Sequence, residues 1–122
     1  MIAGSVTGLQ ACIEVAFRLP GRPDLKIEFV LDTGFAGALT LPAAAIAALG
    51  LPFFQQIDAS LADDASSKAD AHLVTVVWDG IETDVAVLAM GRRPLLGTAL
   101  LDGYRLTADF QDGGSVSLAA LP

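Results

Sequence analysis

A single cysteine, Cys12, and a single histidine, His72, are the only thiol and imidazole in the 122-residue chain. One thiol cannot close an intrachain disulfide or build a thiolate zinc site. One imidazole excludes a histidine-rich metal centre and makes a histidine-dependent triad a poor fit. Basic residues are scarce as well: seven Lys and Arg stand against fourteen Asp and Glu, a net charge of −7. Nucleic-acid affinity comes mainly from clustered Lys and Arg, so no nucleic-acid partner is expected, and the Arg92-Arg93 pair is too small to form a patch. No long unbroken apolar run exists either. The longest, residues 38–54, is interrupted by Thr40, Pro42, Gly50 and Pro52, whereas a bilayer crossing needs about 20 apolar residues. No membrane partner is therefore expected. Met1-Ile2-Ala3-Gly4-Ser5 has no basic stretch leading into an apolar one, so no secretory signal is read and a cytoplasmic location is expected.

What the chain does have is apolar bulk. Hydrophobic residues make up 53% and charged residues 17%, which predicts one packed domain over residues 1–122 and hints at apolar surface buried against a partner. The dominant period is two. Ile13, Val15, Phe17 and Leu19 share a face opposite Glu14 and Arg18, and Leu25, Ile27, Phe29 and Leu31 resume the alternation after Pro20-Gly21-Arg22-Pro23-Asp24. Pro42, an alanine-rich body and Gly50 mark a short helix. Residues 53–61 read as extended, and residues 62–68, small or charged, read as an exposed hairpin tip. Asp79-Gly80 sits between alternating segments over 72–78 and 81–89, a strong two-residue hairpin signal. A helical turn over 98–102 and a last hairpin around residues 111–114 complete a mainly β chain with one or two short helices and a closed or folded-over sheet. A weak repeat runs through both halves: hairpin, apolar pair with Gly, short helix.

Chemistry concentrates at Phe29-Val30-Leu31-Asp32-Thr33-Gly34. A strand that ends in a carboxylate after three apolar residues carries it into dry surroundings, where it needs hydrogen-bonding partners or a chemical task. Thr33 adds a hydroxyl, and Gly34 a backbone N–H with no side chain in the way. Asp-Thr-Gly taken alone suits a plain turn equally well. The other polar candidates read blandly: Cys12 as a small buried hydrophobe, His72 as a surface or rim residue, Trp78 as packing or an interface anchor.

Three segments together resemble the retropepsin-like aspartic proteases, in particular the small bacterial-type members with a single Asp-Thr-Gly. They are Phe29 through Gly34, Leu39-Thr40-Leu41-Pro42 running into a helix, and Leu95-Leu96-Gly97-Thr98-Ala99-Leu100-Leu101, in matching order across residues 10–118. The resemblance implies a retropepsin-like lobe that forms a two-fold homodimer and hydrolyses peptide bonds as an aspartic endopeptidase. It makes Asp32 the catalytic carboxylate, Thr33 a brace between the two active-site loops, and Gly34 a source of backbone contacts. Leu95 and Leu96 would line or back the substrate pockets, joined by Phe35 and Ala36, and Gly97 would pack under the Asp32 loop. The hairpin tip, with Ala62, Asp63, Asp64 and Ala65, would close over a peptide or unfolded protein substrate as a flap. No cofactor and no metal are implied.

Aspartic peptidases work with two carboxylates that share one proton. The chain has one Asp-Thr-Gly, so two copies of Asp32 must meet on a two-fold axis. Retroviral relatives follow the motif with a small residue and an Asp, and place an Arg after the second-motif Gly. Phe35, Ala36 and Thr98 stand at those positions, and residues 62–68 contain no Gly. These departures favour the alternative, a non-catalytic dimeric module that grips an extended peptide on the same fold.

Overall fold

Alternating apolar residues with β-branched enrichment build strands along most of the chain, and the computed structural model describes them over residues 1–60 and 66–122. The strands are β1 (Ile2–Thr7), β2 (Gln10–Arg18), β3 (Leu25–Leu31), β4 (Leu39–Leu41), β5 (Phe53–Ser60), β6 (Ser66–Trp78), β7 (Ile81–Ala89), β8 (Leu95–Leu96), β9 (Tyr104–Ala108) and β10 (Ser115–Ala120). Two short helices, α1 (Ala43–Leu49) and α2 (Thr98–Leu101), interrupt them. Gly50 closes α1 in the left-handed region at φ 67°, donating its N–H to the Ile46 and Ala47 carbonyls. No helix among the described residues is long and apolar enough to cross a membrane.

All strands belong to one sheet, ordered β5-β6-β7-β4-β8-β3-β2-β1-β10-β9. Long β2 holds it together: it pairs with β1 and β3, and its end (Ala16, Phe17, Arg18) also pairs with Val77, Val76 and Thr75 of β6. That extra pairing folds the sheet over on itself and encloses the core. Phe17 and Phe29 stack at its centre with ring centroids 5.9 Å apart, among Ile13, Val15, Leu39, Val76, Val87 and Leu96. Trp78 is packing: it meets Tyr104 edge-to-face at 5.8 Å and is buried.

Two elements differ from the sequence reading. Strand β1 was not expected, because Ile2, Gly4 and Val6 give a weak apolar face; β10 and β2 on either side supply the pairing that its composition does not signal. The β5–β6 hairpin is also longer than expected. Its pairing continues to Ser60↔Ser66, so residues 66–68 belong to a strand and not to the tip. Ala62, Asp63, Asp64 and Ala65 lie outside the described residues.

On the surface, Arg18 grips Asp24 with two hydrogen bonds, at 3.1 and 3.2 Å, and also meets Glu82. The guanidinium holds the Asp24 carboxyl below its ordinary value of 3.8. A depressed folded-state pKa stabilises the fold above the unfolded value and loses that contribution as pH falls through the folded one. The Tm difference between wild type and Asp24→Asn is therefore expected to be small but positive at neutral pH and to fall away as pH drops from 3.8 through the lowered folded-state value, measured by thermal melts across the acid range.

Candidate active site

Strand β3 delivers Asp32 at its end, and the chain turns there because the carboxylate caps its own loop. Asp32 Oδ1 accepts the Gly34 N–H at 2.8 Å, and the Phe35 N–H donates to the Asp32 carbonyl at 3.2 Å. This is the Asx-turn that the tripeptide favours on its own. Asp32 is half-buried, while Thr33, Gly34 and Ala36 are exposed.

The second apolar pair meets this loop from the far end of the sequence. Strand β8 inserts between β3 and β4, parallel to the first (Val30↔Leu95, Leu31↔Leu96) and antiparallel to the second (Leu39↔Leu96, Thr40↔Leu95). The Asp32 N–H donates to the Leu96 carbonyl at 2.9 Å, which fixes the acid to this central pair. Past Leu96, the start of α2 clamps the loop. The Gly97 N–H donates to the Ala38 carbonyl (2.9 Å), the Thr98 N–H to Phe35 (2.8 Å) and the Ala99 N–H to Gly37 (3.2 Å). The helix's first N–H groups are thus spent on the carbonyls of the loop. Gly97 is required by close approach: a Cβ there would overlap the Phe35 and Gly37 carbonyl oxygens and the Phe35 ring.

Phe35 turns inward and is 3% exposed, packed against Ala69 and Ala71 of the β5–β6 hairpin and Leu88 of β7. Leu96 is fully buried in the main core. Leu95 is half-buried and lines a groove of about 390 Å3 with Asp32 and Thr33. Ala36 lies elsewhere, beside Thr98, Leu101 and Asp102 in a separate shallow depression. The loop residues therefore split: Asp32, Thr33 and Leu95 face one opening, whereas Phe35 and Leu96 support them from beneath.

The groove residues that sequence reasoning missed include Leu9, Leu106 and Phe110, which are 67%, 37% and 64% exposed. Nothing local marks them, since they come from a turn and a terminal hairpin that only the fold brings to Asp32. It also missed Thr40, whose signal is a lone hydroxyl in the apolar run Leu39-Thr40-Leu41. Thr40 is 1% exposed; its Oγ1 accepts the Leu95 N–H at 3.1 Å and donates to the Arg93 carbonyl at 3.4 Å. Thr40→Val removes both Oγ1 bonds and leaves the Leu95 N–H only its ladder partner in β4, and is expected to cost about 0.5–1.5 kcal/mol, read from urea unfolding. A near-neutral value would show that the bond does not hold β8 in place.

The remaining candidates stay apart from this groove. Cys12 is 4% exposed, and burial pushes its thiol pKa up, away from the reactive thiolate. His72 holds Leu51 through Nδ1 at 2.9 Å and borders a different cavity, with Asp70 and Ile46. A larger cavity of about 470 Å3 lies between Leu19, Leu51 and Val74, and no residue of the Asp32 loop lines it. Its Arg18 is already engaged by Asp24 and Glu82, so size alone does not make it the reactive site.

No protein-family model matches the chain, and no curated protein matches it significantly. A solved structure does: a retropepsin-like aspartic protease from Rickettsia conorii is similar at a TM-score of 0.59 and 22% identity, over 98% of this chain and 92% of that one. Nearly the whole length superposes despite the low identity, so the chain has the retropepsin-like fold.

Proposed function

We propose that the chain is an aspartic endopeptidase that works as a homodimer, each copy contributing one Asp32. The observation that carries this reading is the placement of that acid: half-buried at a strand end, held by a backbone N–H, and open to an apolar-edged groove in a fold shared with an aspartic protease. Two like charges about 3 Å apart cannot both ionise, so the pair holds one proton. The ionised carboxylate takes a proton from a water held between the two. The resulting hydroxide attacks the scissile carbonyl while the protonated partner gives its proton to the carbonyl oxygen. Collapse of the tetrahedral diol returns a proton to the amide nitrogen, and the C–N bond breaks. Nothing in this sequence requires a cofactor.

Thr33 braces the two loops across the axis, and Gly34 offers backbone contacts beside the acid. Leu95 touches apolar substrate side chains, with Leu96 and Phe35 supporting it from beneath, and Ala36 meets substrate from the separate depression beside Thr98. The β5–β6 hairpin, through Ala62, Asp63, Asp64 and Ala65, acts as the flap over an extended peptide or unfolded protein. Fold likeness, the Asp-Thr-Gly loop and the groove support these roles.

The test is incubation of an unstructured polypeptide with wild type and with Asp32→Asn at weakly acidic pH, new termini being read by mass spectrometry and the association state by sedimentation. Cleavage by wild type alone is expected. Equal cleavage by both proteins, or none by a dimeric wild type, overturns the enzyme and leaves a peptide-gripping dimer.

A further inference from the structure

The cavity of about 470 Å3 between Leu19, Leu51 and Val74 takes no part in the proposed reaction. It follows from how the sheet folds over. Strand β2 pairs with β6 only through Ala16, Phe17 and Arg18, against Val77, Val76 and Thr75. Beyond Arg18 the two strands part. The chain after β2 turns at Leu19, whose carbonyl accepts the Arg22 N–H at 3.2 Å. On the other side, the Leu73 N–H of β6 donates to the Pro52 carbonyl at 3.0 Å. The gap lies between the β2–β3 loop, the end of α1 and strands β6 and β7. Its volume falls within the range of small-molecule sites, about 300–1,000 Å3.

The wall of this cavity is apolar and its rim is charged. Leu19, Leu51 and Val74 line it although they are only 6%, 8% and 6% exposed. Arg18, Arg22 and Asp84 supply the charges. Arg18 is neutralised by Asp24 and Glu82. The other two form no ion pair among the described residues. Arg22 donates to the Leu49 carbonyl at 2.9 Å, a bond that occupies one of its several donors. Asp84 accepts the Thr75 hydroxyl on Oδ1 at 2.5 Å, which leaves Oδ2 for a second donor. Two opposite charges thus line one cavity without reaching each other.

A ligand that completes such a site brings both opposite charges, with apolar bulk between them. A carboxylate alone would answer Arg22 and face the like charge of Asp84; an ammonium alone would do the reverse. We infer that the cavity binds a short apolar peptide with both termini free. Its carboxylate meets Arg22, its ammonium meets Asp84, and its side chains pack against Leu19, Leu51 and Val74. Both end contacts are charge-assisted hydrogen bonds, the stronger kind. The cavity shares no residue with the Asp32 groove. Free-ended peptides are what hydrolysis of a polypeptide leaves, so the choice of a peptide rests on the endopeptidase reading above.

Calorimetric titration of the full chain with the dipeptide Leu-Leu tests the site, caps on the ligand being matched to substitutions in the protein. N-acetylation removes the ammonium and is expected to weaken binding about three- to tenfold in wild type but not in Asp84→Asn. C-amidation removes the carboxylate and is expected to do the same in wild type but not in Arg22→Gln. An asparagine oxygen still accepts the Thr75 hydroxyl, so Asp84→Asn keeps that bond. A purely structural role for either side chain predicts no such matching. Free leucine should bind at least about tenfold more weakly, having one apolar side chain fewer to bury. Asp32→Asn should bind Leu-Leu as wild type does. The inference is overturned by no measurable binding, by loss of binding in Asp32→Asn, by cap effects that survive the matched substitutions, or by leucine binding as tightly as Leu-Leu. A wild type that cleaves polypeptide yet binds no Leu-Leu keeps the enzyme and loses this site. Matched cap effects in a protein that never cleaves keep the site and lose the enzyme.

Discussion

Mixing wild-type chains with Asp32→Asn chains is expected to lower peptide cleavage as the square of the wild-type fraction. Only wild-type pairs then carry two ionisable acids, and at equal mixing about one quarter of the dimers are of that kind. The pure variant is expected to lose at least about 1,000-fold, since the acid and base of the reaction reside in that pair. Folding should not suffer. The one side-chain hydrogen bond of Asp32 among the described residues is to the Gly34 N–H in its own loop, and an amide oxygen accepts it as well. Equal melting temperatures therefore separate lost chemistry from lost structure. A linear fall on mixing would mean that each chain holds a complete site, and the shared-acid mechanism would be wrong.

Phe35→Ala is expected to be the most destabilising substitution at the site, by about 3–5 kcal/mol. The ring is 3% exposed and lies where small residues leave room for it, at Gly37, Gly97, Ala69 and Ala71. These four have no side-chain length with which to refill the space, so only longer neighbours such as Leu88 and Met90 can move toward it and much of the cavity stays open. The consequence is local as well as global. Phe35 ties the Asp32 loop to the β5–β6 hairpin, and its carbonyl accepts the Thr98 N–H. Phe35→Ala should therefore lower cleavage even where the protein remains folded, whereas Phe35→Leu should recover most of both losses. Denaturant midpoints together with activity measured well below Tm check this. A cost under about 1 kcal/mol would show that the ring does not hold the loop.

Much of this site was legible because its signals are local. Leu25 to Leu31 alternates, Asp-Thr-Gly caps its own turn, and Pro42 with Gly50 brackets a helix. Each depends on residues within a few positions of one another. The retropepsin-like fold was legible from the order of such segments, and the structural likeness agrees with it at 22% identity. Phe35 shows where local reading ends. It was expected as a bulky neighbour of the acid at a pocket, yet it is buried beneath the loop, because Ala69, Ala71 and Leu88 arrive from strands more than thirty residues away.

By itself, then, the sequence determined most of the strands and turns and the single acid at the end of β3, but not β1, since periodicity and turn chemistry act over short spans. The tertiary structure alone decided that β8 enters between β3 and β4, that Thr40 braces it, and that Leu9, Leu106 and Phe110 gather beside Asp32. Thr40 and Leu95, for example, stand 55 positions apart. Their pairing is set by which buried faces and backbone groups the folded sheet must satisfy, and no local pattern encodes that.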